Sequence, residues 1–407
     1  MNLIQLELDS IPLGQPLPFA LRGVTGALLA QRGYVVRNRS ELEVFLARGA
    51  SLCMDIEESR DSHRAFVTQL NQMLDTDTQL GEIAVMKISA ASATPAPPAP
   101  RVRLRALQGA QAWAELQLQA TQLLRLPQAQ DFLPRFYALH EELERHASQT
   151  PDAALLALIV LSAQETQMYS ATHAMLVSVA CMVAAREVLQ WSPERVRQLG
   201  CAALSMNIAM TGLQDQLAQQ LDSLSGPQIS AIESHAGDSQ ALLRSLGVED
   251  PVWLEAVRLH HQRTPGPLAH KNEAEQLARL MQRADVFGAR IAPRASRTPM
   301  PVTAAMQASY YDEERQVDEA GAALVKALGV YPPGCLVRLS SQEVAVVLRR
   351  GPTATTPRVA VVISRTGMPT GELIPRDTSL PAWKISGPLG HKEVRVNWPL
   401  DRLLAMV

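Results

Sequence analysis

Residues 250–262 read DPVWLEAVRLHHQ, and this stretch indicates both the fold and the site. Asp250 precedes a proline, which places a capping side chain directly before the first position of a helix. Trp253, Val257 and His260 then recur at three- and four-residue spacing, so they share one face of that helix. The segment therefore predicts a capped, half-buried helix that ends in a pair of histidines.

The same helical periodicity extends to both sides of this segment, over residues 104–330. Ser192-Pro193 repeats the capping pattern, and Gly247 stands where a helix ending at Leu246 needs a left-handed residue. The predicted fold class is therefore mainly α, with a helical bundle as its principal domain.

Upstream of the bundle, residues 89–100 read SAASATPAPPAP, a composition with too little to bury. We predict an extended Pro/Ala-rich linker over residues 89–103. Residues 1–88 alternate short apolar runs with turn residues and predict a small, strand-rich α/β accessory domain. Within it we expect a short helix over residues 38–48 and a strand over residues 51–55.

Downstream of the bundle the hydrophobic period changes. Residues 335–349 and 358–364 are rich in Val and Leu and are separated by Gly351-Pro352, as in two strands joined by a loop. Residues 331–407 therefore predict a small β-rich C-terminal extension.

Composition narrows the class of protein. Hydrophobic residues make up 47% and charged residues 19%, as in a globular chain, and the net charge of −2 provides no global field for nucleic acid or anionic membrane. The four cysteines show no C-x-x-C spacing, which fits a reducing compartment. The first residues lack the pattern of a signal peptide, and the longest apolar stretch, over residues 153–161, is far short of the ~20 residues that span a bilayer. We expect a soluble, cytoplasmic protein that binds neither DNA, RNA nor membrane.

Four histidines and one aspartate of the helical region are candidate metal ligands: His173, His235, His260, His261 and Asp285. Imidazole nitrogens and carboxylate oxygens suit iron, manganese or zinc, and helices can project one ligand each into a bundle interior. The alternative is that these are packed, hydrogen-bonded core residues, the more common state of dispersed histidines. Neighbours on a helix point about 100° apart, so we expect only one of His260 and His261 to face inward.

The order of these residues resembles the HD-GYP phosphodiesterases, a branch of the HD phosphohydrolase superfamily. The matching segments, in chain order, are Tyr169-Ser-Ala-Thr-His173, the helical stretch Ala202 to Met210, Ile232-Glu-Ser-His235, His260-His261-Gln262 and Ala284-Asp285-Val286-Phe287. The resemblance implies an HD-type helical bundle in a bacterial signalling protein, with cyclic di-GMP or a related nucleotide and other signalling proteins as partners.

The chain departs from the family at the catalytic positions. The family's His-Asp doublet corresponds to Met206-Asn207, the lysine after it to Met210, and the glutamate after the His pair to Gln262. The family's Gly-Tyr-Pro loop is reduced to residues 264–267, without a tyrosine. In the family that aspartate bridges two metals that activate a water, whereas an asparagine is neutral and a methionine thioether is a soft, weak ligand.

The resemblance therefore implies an eroded catalytic centre at Met206, Asn207 and Met210, with no catalytic residue assigned. The surviving set can hold one divalent ion (Fe, Mn or Zn) through His235, His260 and His261, joined by His173 and Asp285, or else binds no metal and consists of relics. Arg290 and Arg294 are weak candidates for binding phosphate, against the reading that they form a solvated helix end.

Three functions remain open at this point. The first is a non-catalytic or weakly catalytic regulator in cyclic di-GMP signalling. The second is an active phosphodiesterase or phosphohydrolase with a reduced metal site. The third is a metal-free protein-interaction domain.

Overall fold

The structure is a computed structural model that describes residues 3–5, 11, 17, 20–23, 28–30, 34–36, 52–55, 109–127, 130–164, 166–263, 266–390, 393–394 and 398–407. Contacts divide the chain into two compact units, Met1–Leu104 and Arg105–Val407. The linker expected over residues 89–103 and the helix expected over residues 38–48 lie outside the described residues.

The first unit contains a small antiparallel sheet. Its strands are β1 (Leu3–Gln5), β2 (Leu21–Arg22), β3 (Leu28–Ala30) and β4 (Cys53–Asp55), in the order β1-β4-β2-β3. Strand β4 lies within the stretch predicted from sequence, and Leu52 just before it is fully buried.

The second unit is built from helices. In chain order they are α1 (Gly109–Arg125), α2 (Phe132–Gln149), α3 (Pro151–Gln164), α4 (Tyr169–Glu187), α5 (Pro193–Ser205), α6 (Thr211–Gln219), α7 (Gly226–Ser245), α8 (Pro251–Leu259), α9 (Glu273–Ile291), α10 (Val302–Tyr310), α11 (Glu319–Leu328) and, at the end of the chain, α12 (Leu400–Leu404). Short 3₁₀ turns over Ile208–Met210 and Leu268–His270 connect some of them.

Helix α4 forms the centre of the bundle. Every residue from Tyr169 to Ala185 is buried, and α1, α2, α3, α5, α6, α9 and α11 all contact this helix. Small residues such as Ala171 and Ala180 let neighbouring helices approach closely, while Met175 and Met182 fill the remaining gaps. A helix that is apolar all round is the expected axis of such a bundle.

The helix ends follow the sequence signals. The Ser192 hydroxyl accepts a hydrogen bond from the Arg195 backbone N–H (3.3 Å), and the Asp250 carboxylate accepts two, from Val252 and Trp253 (2.9 and 3.0 Å). Gly247, with φ of +93°, terminates α7 as predicted.

The second unit ends in a five-stranded antiparallel sheet. Its strands are β5 (Leu336–Leu339), β6 (Val344–Arg349), β7 (Arg358–Ile363), β8 (Pro369–Asp377) and β9 (Ile385–Leu389), in the order β8-β7-β6-β5-β9. One face packs on α3 through Leu156 and Val160. The expectation of two strands is wrong, because the stretch 335–349 reverses direction at residues 340–343, where Gln342 adopts a φ of +68°.

The predicted fold class is confirmed: mainly helical, with strand-rich N-terminal pieces and a β-sheet at the C-terminal end. Among the residues that the structure describes, none of the helices has both the length and the apolar character needed to cross a bilayer.

Candidate metal centre

Three histidine side chains converge where the middle of one helix meets the end of another. His235 belongs to α7, while His260 and His261 directly follow the last residue of α8. Their ligand nitrogens all lie within 4.8 Å of one another. As expected for the His pair, His260 is buried and His261 is exposed. Because α8 has already ended, the turn still brings both rings near His235.

The hydrogen bonds behind two of these rings fix where their lone pairs point. His235 Nδ1 lies 2.5 Å from the Ile232 carbonyl oxygen, and His260 Nδ1 lies 2.6 Å from that of Val257. A ring nitrogen that contacts a carbonyl must carry the proton and donate it, so the Nε2 atom of each neutral ring presents a lone pair. These two Nε2 atoms are only 3.2 Å apart.

Near neutral pH, protonation does not remove the repulsion between the lone pairs of these two Nε2 atoms. Burial lowers the pKa of His260 to about 3, with the nearby His261 adding to the effect. Burial is also the largest cause of the lowered pKa of His235. Two neutral imidazoles whose lone pairs converge at this distance are stabilised by a cation placed between them.

The spacing suits a divalent transition metal. Two nitrogens bound to one zinc at about 2.0–2.1 Å and at a tetrahedral angle lie roughly 3.3–3.4 Å apart, close to the 3.2 Å between His235 and His260. Metal-bound histidines commonly donate their second ring N–H to a backbone carbonyl, as both rings do here. The donor set of His235, His260 and His261 therefore fits one ion.

His173 and Asp285 form a separate pair. His173 Nε2 lies 2.7 Å from Asp285 Oδ1, which joins α4 to α9. Burial by itself raises the pKa of Asp285, but the hydrogen bond and charge of His173 outweigh it, and the net pKa lies well below the usual range. Asp285 is therefore ionised at neutral pH.

Gly288 on α9 makes room for this pair, since a Cβ there would lie 3.1 Å from the His173 ring.

A single cavity of about 160 Å³ gathers most of these groups. The residues that line it are His173, Asn207, Met210, Gln214, Leu217, Ile232, His235, His261, Asp285, Ala289 and Arg294. His260 is fully buried beside it. The structure thus brings the predicted metal residues to one place, as a trio of histidines and an adjoining His–Asp pair.

The three positions expected to be eroded divide between core and cavity. The Met206 side chain is fully buried and belongs to the main hydrophobic cluster of the bundle. Asn207 and Met210 line the cavity instead. Asn207 thus presents a neutral amide at the cavity, whereas Met206 contributes to packing.

Of the two candidate arginines, Arg294 reaches the cavity. Its Nη2 donates to the Tyr169 hydroxyl (2.8 Å), and its guanidinium lies 5.1 Å from the centre of that ring. The Arg294 Nε–H is buried and has no hydrogen-bond partner among the described residues. Arg290 is not part of the cavity lining that the described residues form.

Sequence reasoning missed the wall residues Gln214 and Leu217. They lie four and seven positions after Met210, and this spacing is the signal that places them on one helical face. Tyr169, quoted from sequence only as part of a matching segment, stacks on the His173 ring with 5.7 Å between ring centres.

Comparison with known proteins gives one curated relative. No family model matches the chain. Over 231 residues the chain is 27% identical to a protein of Pseudomonas aeruginosa named as a cyclic di-GMP phosphodiesterase, and the match covers 56% of this chain and 55% of that protein. The chain thus spans about half the length of the curated relative that it matches.

Among solved structures, the chain is similar to one described as an HDG"Y"P protein from Bdellovibrio bacteriovorus, with a TM-score of 0.43, 14% identity, and coverage of 79% of this chain and 98% of that one. The sequence match to the Pseudomonas protein supports the resemblance to the HD-GYP family that the motifs of the helical part carry.

Proposed function

We propose that this protein is a regulator in cyclic di-GMP signalling that binds one divalent metal ion through His235, His260 and His261. On this proposal it hydrolyses the nucleotide weakly or not at all. Support comes from the geometry of the three histidines and from the name of the curated relative, a cyclic di-GMP phosphodiesterase.

The observation that carries the proposal is the side chain of Asn207 in the cavity wall. Two dications a few ångströms apart repel each other unless an anion lies between them, and a neutral amide supplies no such charge. Met206, the other half of the family's doublet, is buried in the core and offers nothing to a metal. A second ion therefore lacks its ligands, although the site of the first is intact.

The chain's own residues have distinct parts in such a site. The carbonyl oxygens of Ile232 and Val257 orient the two buried imidazoles. Asp285 supplies a negative charge at the cavity wall, and Arg294 supplies a positive charge for a phosphate group. The bound ion would act as a Lewis acid towards an oxygen ligand.

A second candidate function is a phosphodiesterase that works with one metal ion. The observation that favours it is the presence of Asp285 and Arg294 in the same cavity as the histidines, because a carboxylate can accept a proton and a guanidinium can hold a phosphate. It predicts metal-dependent hydrolysis of cyclic di-GMP that His261→Ala abolishes. Turnover that survives this change counts against it.

A third candidate is a metal-free interaction domain. Its support is the direct hydrogen bond between His173 Nε2 and Asp285, a pairing that structural core groups also make. It predicts a folded chain that holds no metal and binds no nucleotide.

The test compares the wild-type chain with Asn207→Asp, which restores the missing charge without changing the size of the side chain. We expect the wild type to bind cyclic di-GMP with little or no turnover, and the variant to take up a second manganese ion with increased hydrolysis. Asn272→Asp is the matched control, since Asn272 is exposed and caps α9, a role that aspartate also fills. Rapid hydrolysis of cyclic di-GMP by the wild type, or a wild type that does not bind cyclic di-GMP, would contradict the proposal.

A further inference from the structure

The cavity is too small to enclose a whole nucleotide. Its volume of about 160 Å³ lies below the roughly 300–1,000 Å³ of pockets that bury a drug-sized ligand. A phosphate group fits between Arg294 and the histidines, but a sugar and a base must lie outside, over the mouth. What surrounds the mouth therefore decides which ligand can bind.

Part of the cavity wall is apolar. Leu217 on α6 and Ile232 on α7 line the cavity, together with Met210. On α7, Ile229 lies one turn before Ile232, which itself lies one turn before His235. A ligand that extends along this part of the wall contacts aliphatic side chains.

Three exposed apolar residues lie close in the chain to Leu217 and Ile232 of the cavity wall. Leu221 is 78% exposed, Leu224 48% and Ile229 44%. These three belong to a set of thirteen exposed large hydrophobic residues in the described part of the chain, and they fall within nine consecutive positions. Such a concentration beside a polar cavity indicates a binding surface, whereas scattered exposed leucines do not.

The segment that carries these side chains is held in place. Gln220, just after α6, and Gln228, in the first turn of α7, exchange two side-chain hydrogen bonds (2.7 and 3.3 Å). Gln228 also accepts from the Ser225 backbone N–H (2.9 Å) as part of a capping box. The connection between the two helices therefore presents Leu221 and Leu224 next to Ile229.

We propose that Leu221, Leu224 and Ile229 form a base-binding lip, on which the nucleobase of a nucleotide lies while its phosphate enters the cavity towards Arg294. This inference rests on the proposed function, and adds to it the surface that recognises the base. A base has two apolar faces and a polar edge, so aliphatic side chains can hold it between them while its edge stays in water. Inorganic phosphate, which has no base, does not reach the lip.

The test measures two probes, cyclic di-GMP and inorganic phosphate, on the full chain saturated with Mn²⁺ by isothermal titration calorimetry. The variants are Leu221→Ser and Ile229→Ser. Both residues are exposed, so the variants should fold. Leu380→Ser is the matched control, because Leu380 is 47% exposed and lies in the C-terminal β part. We expect each lip variant to bind cyclic di-GMP about tenfold more weakly, with unchanged affinity for phosphate and no effect of the control.

Four results would overturn the inference. The first three are unchanged nucleotide affinity in the lip variants, a parallel loss of phosphate affinity, and a wild-type chain that binds metal and phosphate but not the nucleotide. The fourth is a concentration-dependent dimer that the lip variants abolish, which would show that a second copy covers the surface. A wild-type chain that binds no metal contradicts the proposed function and not this inference. The nucleotide affinities of the lip variants then still show whether the lip binds the base.

Discussion

Asn207 and Asp285 line the same cavity, but only Asp285 carries a charge. The consequence of that single difference could be inferred from sequence, because an amide in place of a bridging carboxylate changes the chemistry wherever the fold places it. The pairing of His173 with Asp285 could not, because 112 residues separate them along the chain.

Gly288→Ala tests whether the His173–Asp285 pair depends on close packing. A methyl group there meets the His173 ring at 3.1 Å, so we expect the variant to lose about 1–3 kcal/mol of unfolding free energy. Gly237→Ala on α7 is the control, since nothing lies within 4 Å of its added Cβ, and there alanine should stabilise by about 0.5–1 kcal/mol. Denaturant unfolding measures both, and equal stabilisation by the two changes would show that the ring has room to move.

His140 on α2 predicts a pH dependence outside the metal centre. It is fully buried, and neither ring nitrogen has a hydrogen-bond partner in the part of the chain that the structure describes. Its Nδ1 lies 3.9 Å from the Glu144 carboxylate, and burial, aided by the charge of Arg197, lowers its pKa from 6.5 to about 4. The unfolded chain takes up this proton near pH 6.5 and the folded chain only near pH 4. Its contribution to stability is thus complete above pH 6.5 and is lost as the pH falls towards 4, by roughly 3 kcal/mol in total.

His140→Leu should remove this part of the pH dependence. Unfolding followed between pH 7 and pH 4 should show a smaller loss of stability in the variant than in the wild type. His270→Gln, at an exposed position, should leave the wild-type profile unchanged. Identical slopes for wild type and His140→Leu would contradict the assignment.

At the scale of elements, periodicity and caps predicted the helices well, because these signals are local. Asp250 caps α8 and Gly247 ends α7 as their neighbours in sequence indicate. The strands of the C-terminal sheet were undercounted, since the turn between β5 and β6 contains neither Gly nor Pro and relies on Gln342 in a left-handed conformation. Such a turn gives a weak sequence signal.

The connection between α10 and α11 supplies a prediction at this scale. Its Glu313 accepts a hydrogen bond from Arg283 (2.7 Å) and lies 3.3 Å from Arg279, and both arginines are buried on α9. Burial raises the pKa of Glu313, but the hydrogen bond from Arg283 and the charges of both arginines outweigh it and lower the pKa from 4.5 to about 2. The carboxylate therefore stabilises the fold above pH 4.5, and this contribution is lost as the pH falls through about 2.

Glu313→Gln should cost about 1–3 kcal/mol at neutral pH, because the buried guanidinium of Arg283 loses its anionic partner, while Arg279 keeps its ion pair with Asp318. Thermal unfolding measures the loss, with Glu314→Gln at the exposed neighbouring position as the control. Equal unfolding temperatures for the two variants would show that the ion pairs of Glu313 contribute nothing to stability.

At the scale of the whole molecule, long-range contacts join the β-sheet and the last helix to the bundle. Arg350, after β6, donates to Asp152 on α3 (2.6 Å), and Asp401 on α12 accepts the Ala110 backbone N–H at the start of α1 (2.6 Å). Composition predicted that a β-rich part follows the helices. The way it packs on α3 depends on residues about 200 positions apart and leaves no local pattern to read.

The number of metal ions per chain is likewise a property of the assembled molecule. The proposed ligands come from α7 and from the turn after α8, and Asn207, where the proposal puts the missing bridge, comes from the turn after α5. Elemental analysis of the purified full chain, equilibrated with manganese, iron or zinc and freed of loose ions, measures this number directly. The account predicts one ion per chain, and none in a His235→Ala/His260→Ala double variant. Two ions per wild-type chain would contradict it.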